Sequence, residues 1–129
     1  MADFTLWLDK GKKQVDPRMF STKAEEMAKA IGREDNRKNK STQLRRFFDE
    51  LLRINTRAQS ENDDWNITQP LVHMMVAKVA YAQGRGLVTE SFVDVMRSGI
   101  TKIDDKDDLQ VFTSFLEAFM GFYKLYRPQ

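Results

Sequence analysis

Residues 39–46, Asn39-Lys40-Ser41-Thr42-Gln43-Leu44-Arg45-Arg46, put a helix start inside the densest basic stretch of the chain. Exposed N–H groups of a first helical turn attract an anion; arginine grips phosphate through a directional fork, and lysine supplies an adaptable point charge. Lys38 and Lys40 lead into this start, and Arg45 and Arg46 follow close behind it. Arg53 lies about two turns past Arg46 and Arg57 one turn further along the same side, a row suited to successive phosphates without reading bases. The pattern does not separate RNA from DNA, because no exposed aromatic platform can be assigned from it. Charged loops also serve solubility alone. A basic face equally suits acidic proteins, which leaves a protein-only helical adaptor or scaffold as the alternative reading.

Hydrolytic or redox chemistry finds few candidates. His73 is the single histidine and there is no cysteine, so the common His/Cys zinc sites, thiol nucleophiles and disulfide frameworks are excluded. His73 sits in a largely apolar stretch and reads as a hydrogen-bonded core or interface residue. Asp104, Asp105, Asp107 and Asp108 lack the glycine and the twelfth-position glutamate of a calcium loop and read as helix-capping residues. Gly84 and Gly86 are too few for a phosphate loop or a dinucleotide fingerprint. The expectation is a non-enzyme with no catalytic residue, no metal site and no cofactor.

The 129 residues carry 21 Lys and Arg against 19 Asp and Glu, a net charge of +2 too small to establish nucleic-acid binding by itself. Distribution says more. Arg33, Arg37, Lys38, Lys40, Arg45 and Arg46 face only Glu34 and Asp35 in their stretch, and Lys10, Lys12, Lys13 and Arg18 form a second cluster. The acids gather instead at 61–64 and 104–108. No apolar run reaches the roughly 20 residues that span a bilayer, and residues 1–11 do not resemble a signal peptide, so a soluble cytoplasmic protein without membrane contact is expected.

Helical periodicity organises most of the chain, and the expected fold is all-α: a compact bundle of about five helices with a largely apolar central one. Residues 1–15 read as an N-terminal extension, with Phe4, Leu6, Trp7 and Leu8 as a docking patch and a mobile tail after it, and 16–127 as a single helical domain. Asp16-Pro17, or Ser21 or Thr22, starts a first helix with Phe20, Ala24, Met27, Ala28 and Ile31 in one stripe and Gly32 as its stop. Residues 33–40 look like a linker, and Ser41 or Thr42 caps a second helix whose Leu44, Phe47, Phe48, Leu51 and Ile54 form a buried face. After Thr68 and Pro70, residues 71–82 are apolar around almost the whole circumference, as in the centre of a bundle; Lys78 and His73 are the exceptions. Thr89 caps a short fourth helix ending at Gly99. The last helix carries Phe112, Phe115, Leu116, Phe119, Phe122 or Tyr123, and Tyr126, and stops near Pro128.

Three segments in register resemble the small-subunit family of type III-A CRISPR–Cas (Csm) effector complexes. They are Thr42-Gln43-Leu44-Arg45-Arg46-Phe47-Phe48, the stretch 71–85 ending in Lys78-Val79-Ala80-Tyr81-Ala82-Gln83-Gly84-Arg85, and the aromatic-rich stretch 112–124 ending at Lys124. The resemblance implies a compact helical, non-catalytic protein repeated along a ribonucleoprotein filament beside guide and target RNA. Other effector subunits and further copies of itself would be its partners in antiviral defence. It adds Lys78, Arg85 and Lys124 to Lys38, Lys40, Arg45, Arg46, Arg53 and Arg57 as RNA-binding candidates. Base pairing would read sequence, while this chain would hold the duplex by its backbone and support assembly. Residues 1–11 and the lysines after them match these motifs poorly.

Overall fold

In the computed structural model, residues 5–127 are described. Phe4 and Pro128, read from sequence as part of a docking patch and as a helix stop, lie outside them. The five helices are α1 (Thr22–Gly32), α2 (Ser41–Ala58), α3 (Trp65–Gly84), α4 (Glu90–Ile100) and α5 (Lys106–Tyr126), with short 3₁₀ turns at Lys10–Lys12 and Pro17–Phe20. No strand forms among the described residues; the one β-type pairing is an isolated bridge between Asp9 and Gln14.

The centre of the bundle is α5, which packs on α1, α2 and α4. Its Leu109, Phe112, Phe115, Leu116, Phe119 and Tyr123 are all buried, and the rings run on through Phe92 of α4 to Phe47 of α2, with centroids 5.4 to 6.5 Å apart. Small residues bring α1 close: Ala24 and Ala28 are fully buried, and a Cβ on Gly32 would lie 3.1 Å from the Cβ of Tyr126. Gly32 is thus the last residue of α1 and a close-packing position; it is not followed by a left-handed cap, since Arg33 is right-handed. Both sequence-read starts before α1 are used, Asp16 capping the 3₁₀ turn by accepting from the Arg18 N–H and Ser21 preceding α1.

Four sequence expectations about the helices change. The all-round apolar helix, α3, lies at the edge against α2 and α4, with Ile67, Leu71, Met74 and Tyr81 open to solvent; its composition reflects an uncovered face, and the apolar central helix is α5. His73 is exposed on it and is not a core residue. α3 also begins six residues before Leu71, because Asp64 accepts from the Asn66 N–H as N-cap, so Pro70 lies inside the helix. α3 closes at Gly86 (φ 75°), where the Gly86 and Leu87 N–H groups donate to Gln83 and Ala82. Finally, α4 runs through Gly99 to Ile100.

The acidic run before α5 does cap it. Asp105 and Asp108 form a reciprocal capping box, and Trp65 closes the same end by donating Nε1–H to the Asp104 carbonyl at 2.9 Å. The N-terminal segment docks there too: Leu6 is buried, Trp7 donates its indole N–H to Asp108 Oδ1 at 2.7 Å, and the Lys10 ammonium lies 2.9 Å from the same oxygen. Burial pushes the Asp108 carboxyl up, but the Asp104 backbone N–H, the Lys10 ammonium and the Trp7 N–H outweigh it and hold it below the usual range. Asp108→Asn is expected to lower the unfolding free energy by about 1–2 kcal/mol at neutral pH in urea titration. Because the folded carboxyl titrates below the unfolded one, its contribution is full above about pH 4 and is lost as pH falls through the folded value. The two stability curves should therefore converge in acid; a constant gap would show that charge plays no part.

Candidate nucleic-acid interface

Helix α2 divides its surface cleanly. Leu44, Phe47, Phe48 and Leu51 are buried, with Asn55 and Ala58 continuing the line and Ile54 half-buried beside it. A 3.6-residue period then forces Arg46, Arg53 and Arg57 onto the opposite side, where all three are exposed. Arg46 and Arg53 stand about 10 Å apart along the axis at 1.5 Å per residue. Neither forms an ion pair among the described residues. Arg57 differs: its Nε lies 3.3 Å from Oδ1 of Asp63, whose side chain is only 5 % exposed.

Arg45 keeps to its own helix, its guanidinium 5.9 Å from the Phe48 ring centroid and only loosely matched to Asp49 at 3.9 Å. Between α2 and α5 runs an open groove of about 930 Å³ with Phe48, Leu52 and Met120 as its apolar floor. Arg45 and Arg46 border it from α2 and Lys124 from α5; Asp49 and Glu117 share the lining. Gly121 also lines it, and a Cβ there would meet nothing within 4 Å.

The other sequence candidates lie apart from this groove. Lys40 is exposed at the N-cap of α2, which has no side-chain cap: the Ser41 hydroxyl, read from sequence as a cap, donates instead to the Arg127 carbonyl at 2.8 Å. Lys78 on α3 is paired with Glu50 of α2, and Arg85 lies 5.9 Å over the exposed Tyr81 ring. Lys38 is half-buried and its carbonyl is taken by Arg127 at 2.8 Å. Within the same stretch the Arg37 guanidinium closes on Asp35 at 3.0 Å and holds that carboxyl at about 2.

Residues 33–40 are not a solvated linker. Asn39 is fully buried at φ 55° and donates its side-chain N–H to Glu34 and Thr89 while its Oδ1 accepts from the Thr89 N–H. Glu34 also accepts from Ser91, and the buried Tyr123 hydroxyl donates to the Asn39 carbonyl. Burial pushes the Tyr123 phenol up to about 12. Arg127 closes this knot from the far end of the chain, donating to the carbonyls of Gly32, Glu34, Lys38 and Asn39. Sequence reasoning missed Asn39, Tyr123 and Arg127 as the group that positions the basic stretch. An asparagine between lysines, a residue that tolerates left-handed backbone, was the one local signal.

A family model described as Csm2 Type III-A matches residues 15–129. The chain belongs to the Csm2 family. Membership implies a role in the type III-A complex, and the family is non-catalytic. The match begins after the poorly resembling N-terminal residues and spans both walls of the groove. No curated protein and no solved structure matches the chain. Among the described residues no group of three or more His, Cys, Asp or Glu could hold a metal ion, and no helix is long and apolar enough to cross a membrane.

Proposed function

We propose that this Csm2 family member holds guide and target RNA by sequence-independent backbone contacts within the type III-A effector and supports its filament. The observation that carries the reading is the row of Arg46 and Arg53 on α2, which form no ion pair among the described residues, joined at the groove by Arg45 from α2 and Lys124 from α5. Cations already satisfied inside the fold gain little from a phosphate; among the described residues these four have weak partners or none, so an anionic polymer competes mainly with water and, at Arg45, with a loosely matched Asp49. Lys40 extends the row toward the α2 N-terminus. Arg57, Lys78 and Arg85 would join it only by exchanging Asp63, Glu50 or Tyr81 for phosphate. One copy presents few contacts, and repetition along a filament multiplies a weak grip.

Charge reversal tests this. In an effector assembled with guide RNA, the Arg46→Glu/Arg53→Glu double variant should retain target RNA roughly tenfold or more less well, with a shallower salt dependence, each lost phosphate contact removing about 0.7–0.9 from the slope. Helical circular dichroism should be unchanged. Unaltered retention at every salt concentration overturns the RNA reading, and loss of a protein subunit from the assembly instead would favour the adaptor role.

A further inference from the structure

Arg46, Glu50, Arg53 and Arg57 follow one another at steps of four, three and four, so a carboxylate stands inside the basic row of α2. Along the axis it is about 6 Å from Arg46 and about 4.5 Å from Arg53, at 1.5 Å per residue, within reach of either guanidinium. The same helix shows what this spacing does when nothing intervenes: Arg45 and Asp49, one position earlier, form a loose i,i+4 pair at 3.9 Å. Arg46 and Glu50 form none among the described residues. Glu50 is taken instead by the Lys78 ammonium from α3, in a pair whose side chains are both partly open to solvent. No acidic residue occurs in Trp65–Gly84, so α3 offers Lys78 no competing carboxylate of its own.

We infer that Lys78 is a positioning residue for the basic row: it holds Glu50 aside so that Arg46 and Arg53 keep free guanidinium groups for phosphate, and it makes no phosphate contact itself. The inference rests on the RNA reading above and changes the role that the resemblance gave Lys78. A free carboxylate at position 50 would act twice. It would pair with Arg46 or Arg53 at helical spacing, and its charge would repel a phosphate laid along the row. One ammonium brought from α3 removes both effects. Exchanging Glu50 for phosphate would gain a single lysine contact and leave a bare carboxylate between two arginines, so the row binds an anionic chain better with the Lys78–Glu50 pair closed than open. Asp63 does the reverse to Arg57, engaging that arginine from a nearly buried position and withdrawing it from the row.

Lys78→Met keeps the apolar stem and removes only the charge. In an effector assembled with guide RNA it should retain target RNA roughly threefold or more less well, the effect in one copy being multiplied along the filament. Adding Glu50→Gln to it should restore retention to the wild-type level, and Glu50→Gln alone should hold or raise it. A lysine that gripped phosphate directly could not be rescued in this way. A double variant as weak as Lys78→Met, or normal retention by Lys78→Met, overturns the inference. In the free chain the arginine Nε–H signals in NMR report the pairing without RNA. Those of Arg46 or Arg53 should exchange with water more slowly in Lys78→Met and return to wild-type rates on adding Glu50→Gln; unchanged signals overturn the inference as well. Signals that move as expected, while Arg46→Glu/Arg53→Glu retains target at full strength, would place the failure in the RNA reading and leave the shielding of the two arginines standing.

Discussion

Gly99→Ala is expected to lower the unfolding free energy by about 3 kcal/mol or more, although alanine is the better helix former by about 1 kcal/mol. A Cβ at this buried position of α4 would stand 2.0 Å from Cε1 and 2.4 Å from Cζ of Phe112. That ring is fully buried in α5 and packs 6.2 Å from Phe115, so it has no open space into which to withdraw. The overlap must be relieved by moving α4 away from α5, which loosens the aromatic line running from Phe47 to Tyr123. Urea titration should show a lower midpoint with a similar slope. Gly121→Ala provides the contrast: nothing lies within 4 Å of its Cβ, so the helix term dominates and stability should hold or rise. If the two substitutions behave alike, α4 and α5 do not approach through Gly99.

Gly99 also shows why part of the fold was legible from sequence and part was not. Apolar period alone was enough to find α1, α2, α4 and α5, because each buries a stripe against a neighbour and the stripe is a local property. A helix stop and a close-packing glycine are the same letter, however, and only the ring of Phe112, thirteen residues away, distinguishes them. α3 failed for a related reason. A helix apolar on all sides satisfies the pattern of a bundle centre, but α5 had already taken that place with larger rings, which leaves α3 with an open face.

At the candidate interface the residue types were readable and their partners were not. Arg46, Arg53 and Arg57 share a side of α2 by period, but which of them keeps a free charge depends on what the following loop brings back. Asp63 returns to Arg57 from beyond the end of α2, and Glu50 reaches across to Lys78 on α3. Ion pairs between elements have no periodic signature. The knot at 33–40 is more remote still, since its donor, Arg127, lies 88 residues from Asn39.

Arg127→Ala is the second substitution expected to have a large effect, about 2–3 kcal/mol lost from the unfolding free energy. The guanidinium reaches Gly32 at 2.9 Å, Glu34 at 3.1 Å and Lys38 at 2.8 Å, and a longer contact of 3.4 Å to Asn39 completes the set. Alanine leaves these carbonyls, gathered in a partly buried turn, to find water. Arg127→Lys should recover less than half of the loss, because one ammonium cannot reproduce a planar fork that points at several acceptors at once. Asn39 holds left-handed backbone through the same contacts, so amide exchange at Asn39 and Thr89 should accelerate more than exchange in the centre of α5. Because this turn carries Lys38 and Lys40 and leads directly into α2, the alanine variant should also retain target RNA less well, even though Arg127 itself spends its donors on backbone. Uniform acceleration across all helices would instead mean that Arg127 stabilises the fold as a whole and does not specifically clasp the basic turn.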